Sequence, residues 1–478
     1  LGVISSACKL PGGCKDLADY WDLLKTGRDS VSRIPATRIA TRDVLIKGAK
    51  YGNKLEGAHF IDDVADFDPS FFKISKNEAN AMDPQQRLIL EVVAECLENS
   101  GIPKEEYSTL GVFVGLMAVE YPDAVEQQTT VLPMLGSAAC VISGRISYWL
   151  GTHGPTLTVD TACSSSLVAV NEARAALASN TCTRAIVAAV NVNLAEKPMG
   201  MRVNGRMLAY DGTCKAFDAR ANGYGRSEGV AAILLETARP DTNYSALIPA
   251  VNVNHGGRGV SLVSPNGIAQ NLLVDRVLRD SPSTIPSYWE AHGTGTALGD
   301  PIEINVLARL LGTAVIGSNK ASIGHGEAVA GLNGVLKVIA QSKYGYIPNT
   351  LHMHCLNPDI DPKKLRFPII GQEWEDSRAI AGVSSFGVAG TNSAVIMCKS
   401  VKNVVGEKKK PIHRAYAIPV TAKNAASLEM HLETYERFLR ETKSRLSDVA
   451  STAALKREHY AQRTVLICDR NGAVLKKL

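Results

Sequence analysis

Between Leu1 and about Ser400 the apolar positions keep changing period. Short runs such as GVFVGLM (Gly111 to Met117), RAIVAAVNVNL (Arg184 to Leu194) and VAAILLE (Val230 to Glu236) read as strands. Between them stand stretches with helical spacing, for example DPQQRLILEVVAECLENSG from Asp83 to Gly101. There Pro84 suits a first helical turn, and Gly101 suits the position just past the last. Strands interleaved with helices predict an α/β architecture. No internal repeat is visible, and no long linker interrupts the alternation.

The pattern changes at VKNVVGEKKKPIHR, Val401 to Arg414, a basic run carrying Gly406 and Pro411. It reads as a domain boundary rather than a surface loop. Beyond it lies an amphipathic stretch bearing Glu429, Glu433 and Glu436, then a strand-like RTVLIC from Arg463 to Cys468. At 478 residues, with 45% hydrophobic and 21% charged residues, the chain has the composition of an ordinary globular protein. Its length allows two or three cores at roughly 150 residues each. The net charge of +5 is small for that length and argues for neither nucleic acid nor a membrane surface. No apolar run approaches the ~18 residues of a membrane span, and no signal-peptide layout opens the chain. It begins at Leu1 without Met, as a piece of a longer protein would. Ten cysteines without a CxxC pair suit free thiols in a reducing cytoplasm.

The stretch LTVDTACSSSLVAV, Leu157 to Val170, is the first with chemical content. Leu157 to Val159 predicts a short, largely buried strand, and the residues from Ser164 onward predict a helix. Cys163 falls at the turn between them. There it would meet free N–H groups and the positive end of the helix dipole, which favour the thiolate. A small buried cysteine packed at a strand–helix junction fits this stretch equally well. SYWEAHGTGTALGDP presents His292, and GSNKASIGHGEAVAGLNG presents His325, each after an apolar run and beside glycine. Singly, each reads as a structural histidine. With Cys163 they form the nucleophile-and-base set of covalent catalysis. Other candidates fall away. His352 and His354 in LHMHC lack a supporting carboxylate or thiolate cluster, so no metal site is predicted. GYGRSEG lacks dinucleotide-loop spacing, and neither GxxxxGK[ST] nor GxSxG occurs.

VDTACSSSL, EAHGTGT and NKASIGHGEA, in that order, resemble the three active-site motifs of β-ketoacyl synthases. The resemblance runs from Leu1 to Ser400 through MDPQQRLILE, DGTCKAFDARANGYGRSEG, SPNGIAQ, GTGTALGDPIE and GVSSFG. CKAFDARANGYGRSEG and LHMHCLNPDI look most like ketosynthases of animal fatty acid synthases and related animal polyketide synthases. The tail with REHYAQRTVLI looks like the linker that leads to an acyltransferase in such enzymes.

The resemblance implies a thiolase-like fold: two similar α/β halves in layered helix and sheet packing, over residues 1–402. A small α+β linker domain over residues 403–478 would follow. It implies decarboxylative Claisen condensation, with the growing acyl group carried as a thioester on Cys163. The backbone N–H groups of Cys163 and Phe386 would form the oxyanion hole. His292 and His325 would hydrogen-bond the thioester oxygen as the enolate develops. Lys320 and Glu327 would form a polar network around His325, and Thr294 and Thr296 would bond the pantetheine arm.

No cofactor is expected in the chain itself, because phosphopantetheine rides on the acyl carrier protein. The implied partners are a second copy of the chain, forming a homodimer, with the carrier protein and acyltransferase of the same multidomain enzyme and acyl and malonyl-type thioesters. The reading is a polyketide synthase; a fatty acid synthase shares the chemistry. A catalytically inactive dimerisation scaffold would not need to keep Cys163, His292 and His325. Departures from the family pattern fall at Ser322, Gly326, Val388, Ala389 and Ala394. They bear on the acyl chamber and the Phe386 gate, and leave the nucleophile and both histidines in place.

Overall fold

The alternation of strand and helix builds a ten-stranded sheet in the computed structural model, which describes residues 1–35, 38, 55–126, 130–282, 285–400, 415–442, 444–469 and 472–478. The first five strands are β1 (Gly2–Lys9), β2 (Leu110–Gly115), β3 (Thr156–Val159), β4 (Arg184–Asn191) and β5 (Gly229–Glu236). They stand in the order β3-β2-β4-β5-β1. The next five are β6 (Ala246–His255), β7 (Tyr288–Glu290), β8 (Val315–Gly317), β9 (Ala381–Phe386) and β10 (Thr391–Cys398), in the order β8-β7-β9-β10-β6.

The two orders are the same. In each half the third, second and fourth strands run parallel, and the fifth is antiparallel to both the fourth and the first. The halves meet at β1 and β6 through only two residue pairs, Gly2 with Leu247 and Val3 with Ala246. The fold is therefore duplicated, although no repeat is visible in the sequence.

Helix α1 (Pro84–Ser100) covers the outer face of the first half, burying Leu88, Ile89, Val92, Val93 and Leu97. Its ends follow the sequence expectation: Asp83 accepts the Gln85 N–H at 2.7 Å, and Gly101 closes the helix at φ +62°. Helix α2 (Ser165–Ala178) and, later in the chain, α5 (Ala330–Tyr344) lie between the halves, while α3 (Gly267–Arg279) and α4 (Gly299–Leu310) cover the outer face of the second. Thirteen of the fifteen residues of α5 are buried. Leu167, Ala169 and Val170 of α2 share one core with Leu332, Val335 and Ile339 of α5 and with the inner faces of both halves. Gly331 lets the two central helices close, since a Cβ there would lie 2.5 Å from Leu167 Cγ. The result is the layered, thiolase-like packing the sequence led us to expect.

One strand differs from expectation. β3 is the outermost strand of the first half, and Leu157 is 45% exposed rather than buried. Its alternation of Thr with Leu and Val is that of an edge, with one side unpaired in this chain.

At the C-terminal end, β11 (Ala415–Ala422), β12 (Gln462–Asp469) and β13 (Val474–Lys477) form an antiparallel sheet backed by α6 (Ala425–Glu441) and α7 (Leu446–Leu455). Ile418, Val420, Leu439 and Leu466 make its core, and α6 carries Glu429, Glu433 and Glu436. This unit rests on the main body through Lys104–Glu458, Arg457 on the Glu98 carbonyl at 2.9 Å, and Lys423 over the Phe71 ring at 3.9 Å. The basic run 401–414, where the domain boundary is expected, lies outside the described residues. All ten cysteines are free thiols. No single helix among the described residues is long and apolar enough to cross a membrane.

Candidate active site

The turn between β3 and α2 explains the string of small hydroxyl residues around Cys163. Ala162 is held at φ +56°, a left-handed conformation costing about 1–2 kcal/mol for a residue with a Cβ. Side chains hold it there. Ser165 Oγ donates to the Ala162 carbonyl at 2.6 Å and accepts the Thr161 N–H at 2.9 Å. Ser164 Oγ donates to the Thr161 carbonyl at 2.8 Å, and Asp160 accepts the Ala162 N–H at 3.0 Å. The β9–β10 connection lies directly on this turn. A Cβ on Gly387 would come 2.3 Å from the Thr161 carbonyl oxygen.

Cys163 is not the activated thiolate that its position suggests. It precedes the N-cap Ser164 and is 9% exposed. Burial pushes its thiol up to about 12, with the Glu327 carboxylate adding to the rise. Lys320, Arg202 and a hydrogen bond from the Val388 backbone oppose it without winning. Loss of water outweighs the helix end, so the thiol rests protonated.

His325 Nε2 lies 3.1 Å from Cys163 Sγ. On the other side of the ring, the Glu327 backbone N–H donates to Nδ1 at 3.2 Å. A lone pair on Nδ1 puts the ring proton of a neutral imidazole on Nε2, so His325 points an N–H at the sulfur. Burial, then Lys320, lowers this histidine to about 3. The His292 ring stands 5.2 Å from that of His325 at 88°, and 5.7 Å from the Phe386 ring at 58°. Burial, Lys320 and His325 together hold His292 well below the ordinary imidazole range.

Both rings are thus neutral at physiological pH, able to donate without carrying charge. One sulfur and one nitrogen from each ring lie within 4.8 Å of one another. Such a donor set resembles a soft-metal site, but the Glu327 N–H on Nδ1 makes the His325 atom facing Cys163 a donor rather than a ligand. His352 instead bonds Asp29 at 2.9 Å, and the His354 backbone N–H bonds Asp218.

The HGTGT loop is held by two carboxylates that the sequence reading did not single out. Glu303 accepts the His292 and Gly293 N–H groups at 2.8 and 2.9 Å. Asp300 accepts those of Gly295, Thr296 and Phe217, and burial raises it to about 7. Gly295, at φ +78°, is required here, because a Cβ would lie 2.6 Å from the Lys215 nitrogen. Thr294 and Thr296 face each other with hydroxyls 3.2 Å apart.

One expectation gains detail and one needs revision. Lys320 and Glu327 are both buried and both act on His325, and the ion-pair partners of Glu327 are Arg226 and Arg202. Burial lowers Lys320, the Glu290 and Glu303 carboxylates oppose that fall, and its charge reaches Cys163, His292 and His325. The backbone N–H that reaches Cys163 belongs to Val388, two residues past Phe386, which contributes its ring. Of the departures, only Gly326 has a steric reason, while Val388 and Ser322 make backbone contacts open to any residue. Val388 acts through its backbone, and a side chain at Gly326 would meet Val329 Cγ1 at 2.6 Å. Ser322 turns its carbonyl to the Ser30 N–H and hydroxyl.

A buried thiol and two neutral imidazole donors, brought together from duplicated halves, define a condensing enzyme of the thiolase-like fold. The chain belongs to the beta-ketoacyl synthase family: that family's N-terminal domain matches residues 2–240 and its C-terminal domain 245–354, and the CurL-like PKS C-terminal region matches 416–478. It is a ketosynthase, an acyltransferase-type condensing enzyme.

The non-reducing polyketide synthase atr1 of Stereocaulon alpinum is 34% identical over 506 residues, taking in 100% of this chain and 20% of that protein. Erythronolide synthase EryA2 of Saccharopolyspora erythraea is 35% identical over 507 residues, covering 100% of this chain and 14% of that protein. The chain thus spans a fifth or less of the length of these two relatives. Among solved structures, the ketosynthase from module 6 of the bacillaene synthase from Bacillus subtilis 168 superposes with a TM-score of 0.89 at 28% identity, covering 98% of this chain and 83% of that one. The oxazolomycin ketosynthase domain OzmH KS7 of Streptomyces albus JA3453 gives 0.90 at 31%, covering 98% and 87%.

Proposed function

We propose that Cys163 takes an acyl chain from a carrier-protein thioester and that the same site condenses it with a malonyl-type extender, in polyketide chain building. The observation that carries this reading is the His325 N–H directed at the Cys163 sulfur, with His292 beside it. In the first half-reaction the sulfur attacks the acyl carbonyl and expels the pantetheine thiolate, which takes up the proton that Cys163 loses. The N–H groups of Cys163 and Val388 receive the developing oxyanion, Val388 taking the role expected of Phe386. Each such donor is typically worth ~10²–10³ in rate. Lys320 offsets part of the cost of forming a thiolate in a dry site.

In the second half-reaction the extender's C–C bond breaks and carbon dioxide leaves. His292 and His325 donate to the thioester oxygen as the enolate charge grows. The carbanion then attacks the acyl group, a C–C bond forms, and the Cys163–acyl bond breaks, the sulfur leaving as a thiolate that takes its proton from solvent. Two neutral donors suit this step better than imidazolium ions, because they stabilise the enolate without handing it a proton. Thr294 and Thr296, on the loop fixed by Asp300 and Glu303, bond the pantetheine arm.

Residues 1–402 form the condensing domain in this reading, and 403–478 a linker toward an acyltransferase. Phosphopantetheine arrives on a carrier protein of the same multidomain enzyme, acting in the cytoplasm. The unpaired edge of β3 supports a homodimer, with Leu157 45% and nearby Tyr148 89% exposed. The polyketide reading over a fatty acid one is supported by the names of the relatives.

Intact-protein mass spectrometry after incubation with acyl-thioester mimics tests the reading. One acyl adduct is expected on the wild type and none on Cys163→Ala. No adduct at any acyl length, on folded wild-type protein, would overturn it in favour of the scaffold.

A further inference from the structure

Glu327 is fully buried, stays ionised at neutral pH, and its charge acts on the Cys163 sulfur. Its backbone sits at φ +49°, a strained conformation for a residue with a side chain. Three side chains, each more than a hundred residues earlier in the chain, converge on its carboxylate. Arg226 grips it in fork geometry at 3.0 and 3.1 Å. Arg202, on the helix Glu196–Asn204, makes a second fork at 3.0 and 3.3 Å. The Tyr224 hydroxyl adds a bond at 3.4 Å, and its ring meets the His325 ring edge-on at 5.0 Å.

Arg226 is itself anchored from behind. Its other contact is Glu120, which also accepts the Leu194 and Ala195 N–H groups at 2.9 and 3.0 Å. The backbone beside Arg226 straps His325 directly: the His325 N–H bonds the Gly225 carbonyl at 2.7 Å, and the Ser227 N–H bonds the His325 carbonyl at 3.0 Å. Paired guanidinium forks fix both the position and the orientation of a carboxylate. What they fix here is the residue whose N–H occupies His325 Nδ1.

We propose that Arg226 and Arg202 are positioning residues of the condensation. By gripping Glu327 from two sides they hold the peptide N–H that selects the Nε2–H form of His325, and with it the donor that meets the sulfur and the substrate oxygen. The proposal rests on the ketosynthase reading for its catalytic consequence and on geometry alone for the tautomer. Without the grip, the Glu327 peptide would leave its strained conformation and the ring would be free to carry its proton on Nδ1. That form turns a lone pair, not a proton, toward the developing enolate.

The test uses the full chain with ¹⁵N-labelled histidine, the His325 signals being assigned by their loss in His325→Asn. In the wild type near neutral pH, Nε2 should be the protonated nitrogen. Arg202→Gln, at the more accessible of the two guanidinium groups, should give a mixture of ring forms. It should also slow decarboxylation of a malonyl-thioester mimic by about tenfold, part of the loss of a donor worth ~10²–10³. Arg202→Lys should restore some of both. Arg226→Gln should act more strongly where it folds, and the Arg202 variants decide the matter where it does not. A wild-type ring form and rate in folded Arg202→Gln would overturn the proposal, as would a wild-type His325 protonated on Nδ1. If the wild type neither acylates nor decarboxylates but its ring form still follows Arg202, the ketosynthase reading fails and the positioning of His325 stands.

Discussion

Ser385 Oγ donates to the Cys163 carbonyl oxygen at 2.6 Å, a bond between residues 222 positions apart. It ties β9 of the second half to the nucleophile turn of the first, and both groups are buried. Ser385→Ala should leave that carbonyl without its donor and cost about 1–3 kcal/mol of stability. Acylation of Cys163 should slow as the turn loosens. Thermal unfolding and time-resolved adduct formation measure the two effects, and an unchanged acylation rate would show that the turn holds without this bond.

The thiol at about 12 makes a direct statement about reactivity. Only the thiolate is alkylated. Labelling of Cys163 by iodoacetamide should therefore rise about tenfold per pH unit from pH 7 to 9, with no plateau. Peptide mass spectrometry separates this site from the other nine cysteines. A plateau below pH 9 would mean that the site stabilises the thiolate after all.

Against the cost of burial, Arg226 and Arg202 hold the Glu327 carboxyl down to about 2. A folded-state value below the ordinary one contributes stability that is present above about pH 4.5 and lost as pH falls toward 2. Glu327→Gln should be less stable than wild type at neutral pH, and the gap should close across that acid window. Chemical denaturation at a series of pH values reads this directly; a gap that does not change with pH would contradict it.

Asp300 fixes the loop that presents Thr294 and Thr296 but touches neither sulfur nor imidazole in the described contacts. Asp300→Ala should raise KM for a carrier-borne thioester several-fold while altering kcat much less. It should matter little for a mimic lacking the pantetheine arm. Equal effects on both substrates would assign Asp300 to general stability.

The free edge at β3 makes a separate demand. Leu157→Lys places a charge in the middle of an unpaired apolar edge, a device that natural edges use against pairing. The wild type should sediment as a dimer and the variant as a monomer. A dimer that survives the substitution would place the interface elsewhere.

What the sequence shows of this site follows from what side chains can announce. Cys163, His292 and His325 are legible because their chemistry is uncommon and each stands beside a turn signal. The Cys163 environment stays open between an activated and a buried thiol, because the groups against it, His325, Ser385 and Val388, lie far along the chain. Val388 escapes because it contributes a backbone N–H, and valine carries no mark of that. Arg226 and Arg202 look like ordinary surface cations until the fold closes them around Glu327. The duplication is legible only through the family resemblance, which implies two similar halves. The order itself is a matter of which strands pair, and no visible repeat of residues announces it.

The repeated order β3-β2-β4-β5-β1 and β8-β7-β9-β10-β6 places the start of α2 and the approach to α5 at corresponding points. Cys163 occupies one and His325 the other. Exchanging the two halves about their seam would carry a sulfur onto an imidazole, so the backbone keeps a symmetry that the chemistry breaks. Two identical halves would face each other with like groups, thiol to thiol or ring to ring. The condensing site therefore exists only because the copies have become different while still fitting together as if they were the same.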